Sequence, residues 1–541
     1  MNSLRLGLTI AHLQQNSVSA DRSADSDQTS AISKQPLSLI GLPPGRSGRS
    51  LSKAASQMSP LIEIERNSTV PFHQQVYDGY RAAIFRGDLR PGQRVPSSRD
   101  LAGAIRMSRF PILQAYAQLL AEGYFESRMG AGTFIARSLP EQLTLVNRHV
   151  EGPMRTLSGP RTVSRASSLY PPCNIEALPR GGGAFAVHQP ALDQFPFQTW
   201  SNLVARHSRN PHASALHHIS PLGSERFRSE ICAYLRTARA VQCDPGQIMI
   251  VSGSQQALDI TARVLLDPGH SVFVEEPGHR LQRTILHAAG CRLVPVPVDR
   301  EGMNIGLAIG RRQQATAAVV TPSHQYPLGW TMSATRRLQL LDWAQFAGSW
   351  IVEDDWGSEY RYESSPIAAL QGMDANSRVI YIGTFSNALF PSLRVGYVVI
   401  PHDLVERFRA VRFAMDIFPP YLYQEVLADF MREGHFCRHI RKMRNLYGER
   451  RKVLVASLRS QFGDMLQVHG SEAGMHVTVT LPAGYRDTEI AAKALDSRMW
   501  LQPLSPCYWK GPVHHGFVLG FGSTPVDQIP AAVAAMHALL G

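Results

Sequence analysis

The run Val379-Ile380-Tyr381-Ile382-Gly383-Thr384-Phe385-Ser386-Asn387-Ala388-Leu389-Phe390-Pro391-Ser392-Leu393-Arg394-Val395-Gly396-Tyr397-Val398-Val399-Ile400 sets a polar turn between two apolar strands, Val379 to Gly383 and Val395 to Ile400. Strand-like apolar runs recur at Ile248 to Ser252, Ser271 to Glu275, Ala317 to Thr321 and Trp350 to Glu353, separated by helical patterns. Short strands apolar on both sides and alternating with helices predict a mainly parallel α/β sheet covered on both faces. No repeat of fixed period appears.

In such sheets ligands sit at the carboxyl ends of the strands, and three of these ends carry polar clusters. Gly253-Ser254-Gln255-Gln256-Ala257-Leu258 follows a strand and opens a helix, so its backbone N–H groups and the Ser254 hydroxyl can receive a phosphate. A plain helix cap has the same pattern. Glu353-Asp354-Asp355-Trp356 ends a strand with carboxylates able to pair with a protonated ring nitrogen. Gly383 to Asn387, followed by Arg394, offers two hydroxyls and a guanidinium suited to a phosphate.

Before this region lies a different one. Val76, Tyr80, Ala83 and Ile84 form the stripe of an amphipathic helix that ends at Gly87 and Pro91-Gly92. A second helix starts at Ser97 or Ser98 and runs to Ile105; a third, capped by Ser108, runs to about Glu122 with Ile112, Tyr116, Leu119 and Leu120 on one face. Tyr124 to Arg128 and Thr133 to Ala136 read as strands joined by a glycine-rich turn, Gly130 to Gly132. This is the order of a winged helix-turn-helix. No acid lies between Asp100 and Glu122, and Arg106 and Arg109 sit where a recognition helix meets DNA. Residues 66 to 138 hold ten arginines and five acids, net +5. The competing reading is a solvated charged face.

The 541-residue chain exceeds what one core serves. Its 44% hydrophobic and 18% charged residues exclude wholesale disorder and a membrane-embedded body. Net charge is +12, yet only six lysines contribute: Lys34, Lys53, Lys442, Lys452, Lys493 and Lys510. The six cysteines, with no close pair in sequence, are expected to be lone buried thiols in a reducing cytoplasm. No stretch reaches membrane-spanning length and no signal peptide is evident, so the protein is expected to be cytoplasmic. Residues 1 to 65 read as a disordered tail, with Met58 as an alternative start, and 139 to 177 as a linker.

Together these residues resemble the MocR subfamily of GntR transcription factors. In that subfamily a winged helix-turn-helix precedes a fold-type I, aspartate aminotransferase-like domain that binds pyridoxal 5'-phosphate (PLP). The resemblance also rests on Pro96-Ser97-Ser98-Arg99, Leu120-Ala121-Glu122-Gly123-Tyr124, Ser127 to Phe134 and Thr321-Pro322-Ser323-His324-Gln325, and covers residues 66 to 541. It implies a DNA-binding domain at 66–138. It also implies an aminotransferase-like domain at 178–541, with a large part at about 205–425 and a smaller α+β part at about 426–541. It further implies DNA contacts from Arg99, Ser108, Arg109 and Arg128 and from the wing tip Gly130, Gly132 and Thr133. Ser254, Gln255, Thr384, Ser386 and Arg394 would hold the cofactor phosphate, Asp354 the pyridinium nitrogen, and His279 would stack on the ring. The competing reading of His279 is a partly exposed loop histidine.

Departures from the family pattern decide the functional expectation. Asn387 stands where the family has the lysine that forms the Schiff base with PLP, and a carboxamide is neither basic nor nucleophilic. Trp356 stands in place of a tyrosine, and an indole can only donate. No arginine follows Arg498 to clamp a substrate carboxylate, and Phe110 and Pro111 replace the usual residues after Ser-Arg. The expectation is a homodimeric transcriptional regulator on double-stranded operator DNA, without transaminase activity. Its second domain would sense a small effector, amino acid-like or a B6 vitamer, with PLP held noncovalently if at all. No metal site is expected. The alternatives are an aminotransferase with a DNA-binding head, or a dimerisation scaffold whose pocket binds nothing.

Overall fold

The computed structural model describes residues 62, 64–138, 162–165, 167–171, 183–209, 217, 219–362 and 367–541. The chain divides into two compact units, Met1–Gly159 and Pro160–Gly541. Most of the expected tail and linker lies outside the described residues, with two exceptions. Ile62 is buried in the first unit's core, so order begins before residue 66. Within the expected linker, Ser167–Leu169 forms one helical turn.

In the first unit, α1 (Phe72–Arg86), α2 (Ser98–Ala104) and α3 (Arg109–Ala121) precede the antiparallel pair β1 (Phe125–Arg128) and β2 (Gly132–Ile135). The α1 stripe Val76, Tyr80, Ala83 and Ile84 is buried, as its spacing predicts. On α3 the inner residues are Ile112, Ala115, Tyr116 and Leu119. Leu120, expected among them, is exposed: eight residues past Ile112 is about 80° round the helix. The hairpin gains a third element, because Val95 N–H donates to Thr133 O and Ile135 N–H to Gln93 O. The fold is a winged helix-turn-helix.

The second unit is built on an eight-stranded sheet in the order β3-β10-β9-β8-β7-β4-β5-β6. Its strands are β3 (Ile248–Val251), β4 (Ser271–Glu276), β5 (Arg292–Asp299), β6 (Gly302–Met303), β7 (Ala317–Val320), β8 (Trp350–Asp354), β9 (Val379–Thr384) and β10 (Gly396–Val399). β3 and β7 are buried along their whole length, as continuous apolar runs demand. Antiparallel β10 joins β9 to β3, and β6 is antiparallel to β5; the pairings among β4, β5, β7, β8 and β9 are parallel.

A smaller antiparallel sheet, order β11-β12-β14-β13, follows: β11 (Gln467–His469), β12 (His476–Thr480), β13 (Gln502–Pro503) and β14 (Gly516–Gly520). It is not made by the C-terminal region alone. Ala184 bridges Met499, and Gly520 N–H donates to Phe185 O, so the start of the unit is drawn onto this sheet. Together these elements form a fold-type I aminotransferase architecture.

The thiols are not all lone and buried. Cys232 and Cys243 face each other with their Sγ atoms 3.8 Å apart, and Cys437 is exposed. Cys173 lies outside the described residues.

Candidate ligand site and DNA interface

Sheet register brings the three polar clusters together. Gly396 pairs with Thr384 on one side and Val251 on the other, so the third and first polar clusters are level with each other. On the next strand Asp354 pairs with Ile382, which brings the second cluster beside them. Close approach needs glycine here: a Cβ on Gly396 would lie 2.8 Å from Gly383 O and 3.1 Å from Gly253 Cα.

The first cluster caps the helix Ser254–Leu265 with Gly253 (φ 96°), and no side chain satisfies the first-turn N–H groups. Uncapped N–H groups at a helix start suit an anion. Above them Arg394, in left-handed geometry (φ 51°), donates to Ser252 O at 2.6 Å. Its Nη2 would be 2.9 Å from a Cβ on Gly253. Arg394 is exposed, so its guanidinium carries no large desolvation cost. Thr384 Oγ1 accepts from Ser386 N–H at 3.2 Å, while Ser386 Oγ is enclosed without a partner. Gln255 is exposed, and its neighbour Gln256 instead accepts from Ser252 N–H.

The three acids of the second cluster have three fates. Glu353 accepts from the Leu370 and Gln371 N–H groups, both at 2.8 Å. Asp355 is bound by Arg239 through Nε at 2.8 Å and Nη2 at 3.0 Å, and Tyr381 Oη and Ser358 Oγ also donate to it. Burial acts to raise its titration, but Arg239 and these donors outweigh it and hold the carboxyl below its ordinary range. Asp354 alone keeps an oxygen without a partner: Oδ2 accepts from Gln282 at 2.6 Å and Oδ1 is enclosed and unbonded. Burial pushes its pKa up to about 7 despite the Gln282 bond.

Beside Asp354 stands a cluster of rings. Trp356 lies 5.0 Å from His188, 5.6 Å from Tyr326 and 5.6 Å from His324, and stacks on His476 at 5.5 Å and 4°. His279 lies 5.0 Å from Tyr326. It sits in a loop, half-buried as the competing reading expects, with an enclosed, unbonded Nδ1. Burial lowers the pKa of His188 to about 4 and of His279 and His324 to about 3. These rings are therefore neutral, and the cluster adds no positive charge at neutral pH. Trp356 Nε1 is a further enclosed donor without a partner. Asn387 is 6% exposed and heads the buried turn after Ser386.

Sequence reading missed His188, His476 and Gln282. His188 reaches the cluster from a segment with φ 62°, and His476 comes from β12. Neither has a local signal. The Thr321 to Gln325 segment, singled out only by resemblance, is held by Glu275, which accepts from Thr321 Oγ1 at 2.6 Å and from Thr321 N–H at 3.2 Å. Among the described residues no cluster suits a metal ion, and no helix is long and apolar enough to cross a membrane.

In the first unit, Arg99, Ser108 and Arg109 are exposed together at the starts of α2 and α3. Arg109 Nε donates to Ser98 Oγ at 2.9 Å, tying the two helix starts together. Ser108 holds the cap position but makes no capping bond, whereas Ser97 accepts from Asp100 N–H at 3.2 Å. Gly130 (φ 73°) and Gly132 (φ 107°) shape the wing tip, and Thr133 follows. Arg128 is paired with Glu126 and lies over the Phe134 ring at 4.6 Å, so its charge is partly engaged. Arg94, which sequence reading did not single out, packs its guanidinium against Gly132.

Two family profiles match the chain: bacterial regulatory proteins, gntR family, over residues 72–135, and aminotransferase class I and II over residues 194–513. Among curated proteins, the chain is 38% identical to the probable rhizopine catabolism regulatory protein MocR of Rhizobium meliloti, covering 85% of this chain and 92% of that one. It is 29% identical to the pyridoxine biosynthesis transcriptional regulator PdxR of Corynebacterium glutamicum, covering 84% and 93%. Among solved structures, Pyrococcus horikoshii kynurenine aminotransferase in complex with PMP superposes with a TM-score of 0.63 at 25% identity, covering 74% of this chain and 98% of that one. With a helix-turn-helix head and an aminotransferase-like domain matched in this order, the chain belongs to the MocR-like GntR-family regulators, DNA-binding transcription factors with a class I and II aminotransferase domain.

Proposed function

We propose that the second unit senses a phosphorylated B6-type ligand, which it holds without a covalent bond, and that ligand occupancy controls a homodimer on operator DNA in the cytoplasm. The observation that carries this reading is the set of enclosed polar atoms without partners: Asp354 Oδ1, Trp356 Nε1 and Ser386 Oγ. Buried polar groups are normally paired, and these three match a ring nitrogen, a ring oxygen and a phosphate. The Ser254 helix start, Thr384 and Arg394 would hold the phosphate, with Asp354 on the ring nitrogen and His279 beside the ring. Gln255 would contribute through its backbone.

PLP, when bound, supplies an electron sink and a reactive aldehyde. Asn387 stands where the resemblance puts the lysine, and its carboxamide can neither condense with that aldehyde nor carry a proton, so transamination is not expected. A ligand can shift the DNA-binding state only through different affinities for two arrangements of the dimer.

The test is calorimetric titration of the full chain with PLP and pyridoxamine phosphate, beside Asn387→Lys. Binding of either ligand to the native chain, with a borohydride-stable adduct and visible absorbance shift only in the lysine variant, is expected. A borohydride-trapped adduct in the native chain refutes the noncovalent reading. No binding of either ligand refutes the sensor.

A further inference from the structure

The outward face of α3 is unusual for a solvated helix. Between its end residues Arg109 and Ala121, the exposed positions are Phe110, Leu113, Gln114, Ala117 and Leu120, spaced i, i+3, i+4, i+7 and i+10, and no charged residue lies between Arg109 and Glu122. Phe110 is 68% exposed and Leu113 44%. The inner face already supplies the core through Ile112, Ala115, Tyr116 and Leu119, so folding of the unit does not use the outer stripe. Of the two amides on the helix, Gln118 donates to Glu122 at 2.9 Å, while Gln114 is exposed with no hydrogen bond to a described residue.

The stripe begins among cations. Arg99, Arg106 and Arg109 are exposed around the start of α3, and the 66–138 segment carries net +5. An apolar protein partner seated here would cover those charges, whereas a polyanion is attracted by them. In the major groove an apolar side chain contacts the thymine methyl, and glutamine bridges adenine N6 and N7; guanine is typically read by arginine or lysine. After Arg109 the helix has neither of those basic residues.

We infer that α3 reads A·T base pairs, with Phe110 and Leu113 against thymine methyl groups and Gln114 on adenine, while the arginines at its start contact phosphates. The recognition core of each half-site is then rich in A·T pairs, and its affinity depends on the methyl groups themselves. This inference rests on DNA binding through α3 and is independent of what the second unit binds.

The experiment uses the full-length protein. Duplexes selected from a random pool are resynthesised with deoxyuridine in place of thymidine, which removes the methyl groups and leaves base pairing intact. Native protein should bind the uracil duplex more weakly, by about four-fold for each contacted methyl. Phe110→Ala and Leu113→Ala should each shrink that ratio while keeping the salt dependence of nonspecific binding, which the arginines set. A selected core of G·C pairs, no sequence preference, equal binding of thymine and uracil duplexes, or undiminished discrimination in both variants would overturn the inference. A change in sedimentation of the variants with thymine discrimination intact would assign the stripe to a contact between copies of the chain, and equally overturn it.

Discussion

Replacing Asp354 by asparagine should make the ligand-free protein more stable at alkaline pH and its ligand binding weaker. An aspartate in water titrates near pH ~4. In the fold, burial outweighs the Gln282 hydrogen bond, the Asp355 charge adds to it, and Asp354 titrates at about 7. That difference corresponds to roughly 4 kcal/mol opposing folding once the carboxyl is ionised. The direction with pH follows from where the proton sits. Below pH ~4 the carboxyl is protonated in both folded and unfolded chains and contributes nothing. From there to about pH 7 the folded chain retains a proton that the unfolded chain has released, so stability falls as pH rises; beyond that the full penalty applies.

The asparagine removes this penalty but leaves a buried amide N–H without a partner, at about 1–3 kcal/mol. The net gain should be about 1–3 kcal/mol at alkaline pH and turn into a loss of about 1–3 kcal/mol in acid, where the charge penalty is absent and the amide cost remains. Denaturant unfolding of both proteins at several pH values between about 5.5 and 8.5 checks this. With pyridoxamine phosphate present, the variant should lose about 1.5–3 kcal/mol of binding, the value of a hydrogen bond to a charged group. A gain independent of pH, or a less stable variant at high pH, would refute the reasoning about Asp354.

Two further outcomes are expected. Arg109→Ala should weaken operator binding, and if Arg109 also reads a base it should relax preference at that pair by ~1–3 kcal/mol; electrophoretic mobility shifts with unchanged affinity and preference would refute the assignment. Arg239→Met leaves the buried Asp355 carboxylate without its bidentate partner, a loss of about 3–5 kcal/mol that thermal unfolding should register. Asp355→Asn added to Arg239→Met should recover part of that loss.

Much of the architecture was legible because it is local. Continuous apolar runs located six of the eight strands of the large sheet, β5 and β6 excepted, and the 3.6-residue period located the three helices of the first unit, each within a residue or two. Where local pattern met a crossover, it failed. The segment at Ala184 joins the C-terminal sheet across more than three hundred residues, and nothing in its own composition says so. Leu120 was misplaced because an apolar residue at the edge of a stripe can turn either way. The paired thiols Cys232 and Cys243 are eleven residues apart in sequence, and only the turn between helix and β3 brings them to contact.

For the site, residue types alone pointed to the three polar clusters, and Asn387 is a fact of sequence. Chemistry depends on side-chain type, so it is legible without coordinates that a carboxamide at 387 is neither basic nor nucleophilic. Sequence could not say which of Glu353, Asp354 and Asp355 remains available, since all three are carboxylates at one strand end. Partners from distant elements decide it: backbone N–H groups engage Glu353 and Arg239 engages Asp355, leaving Asp354 Oδ1 unbonded. Nor could it gather His188, His324 and His476 around Trp356, because burial and proximity belong to the packed chain. The residues available for binding were written in the sequence; which of them are left without a partner was decided by tertiary packing, because desolvation and hydrogen bonding act between groups that only folding brings together.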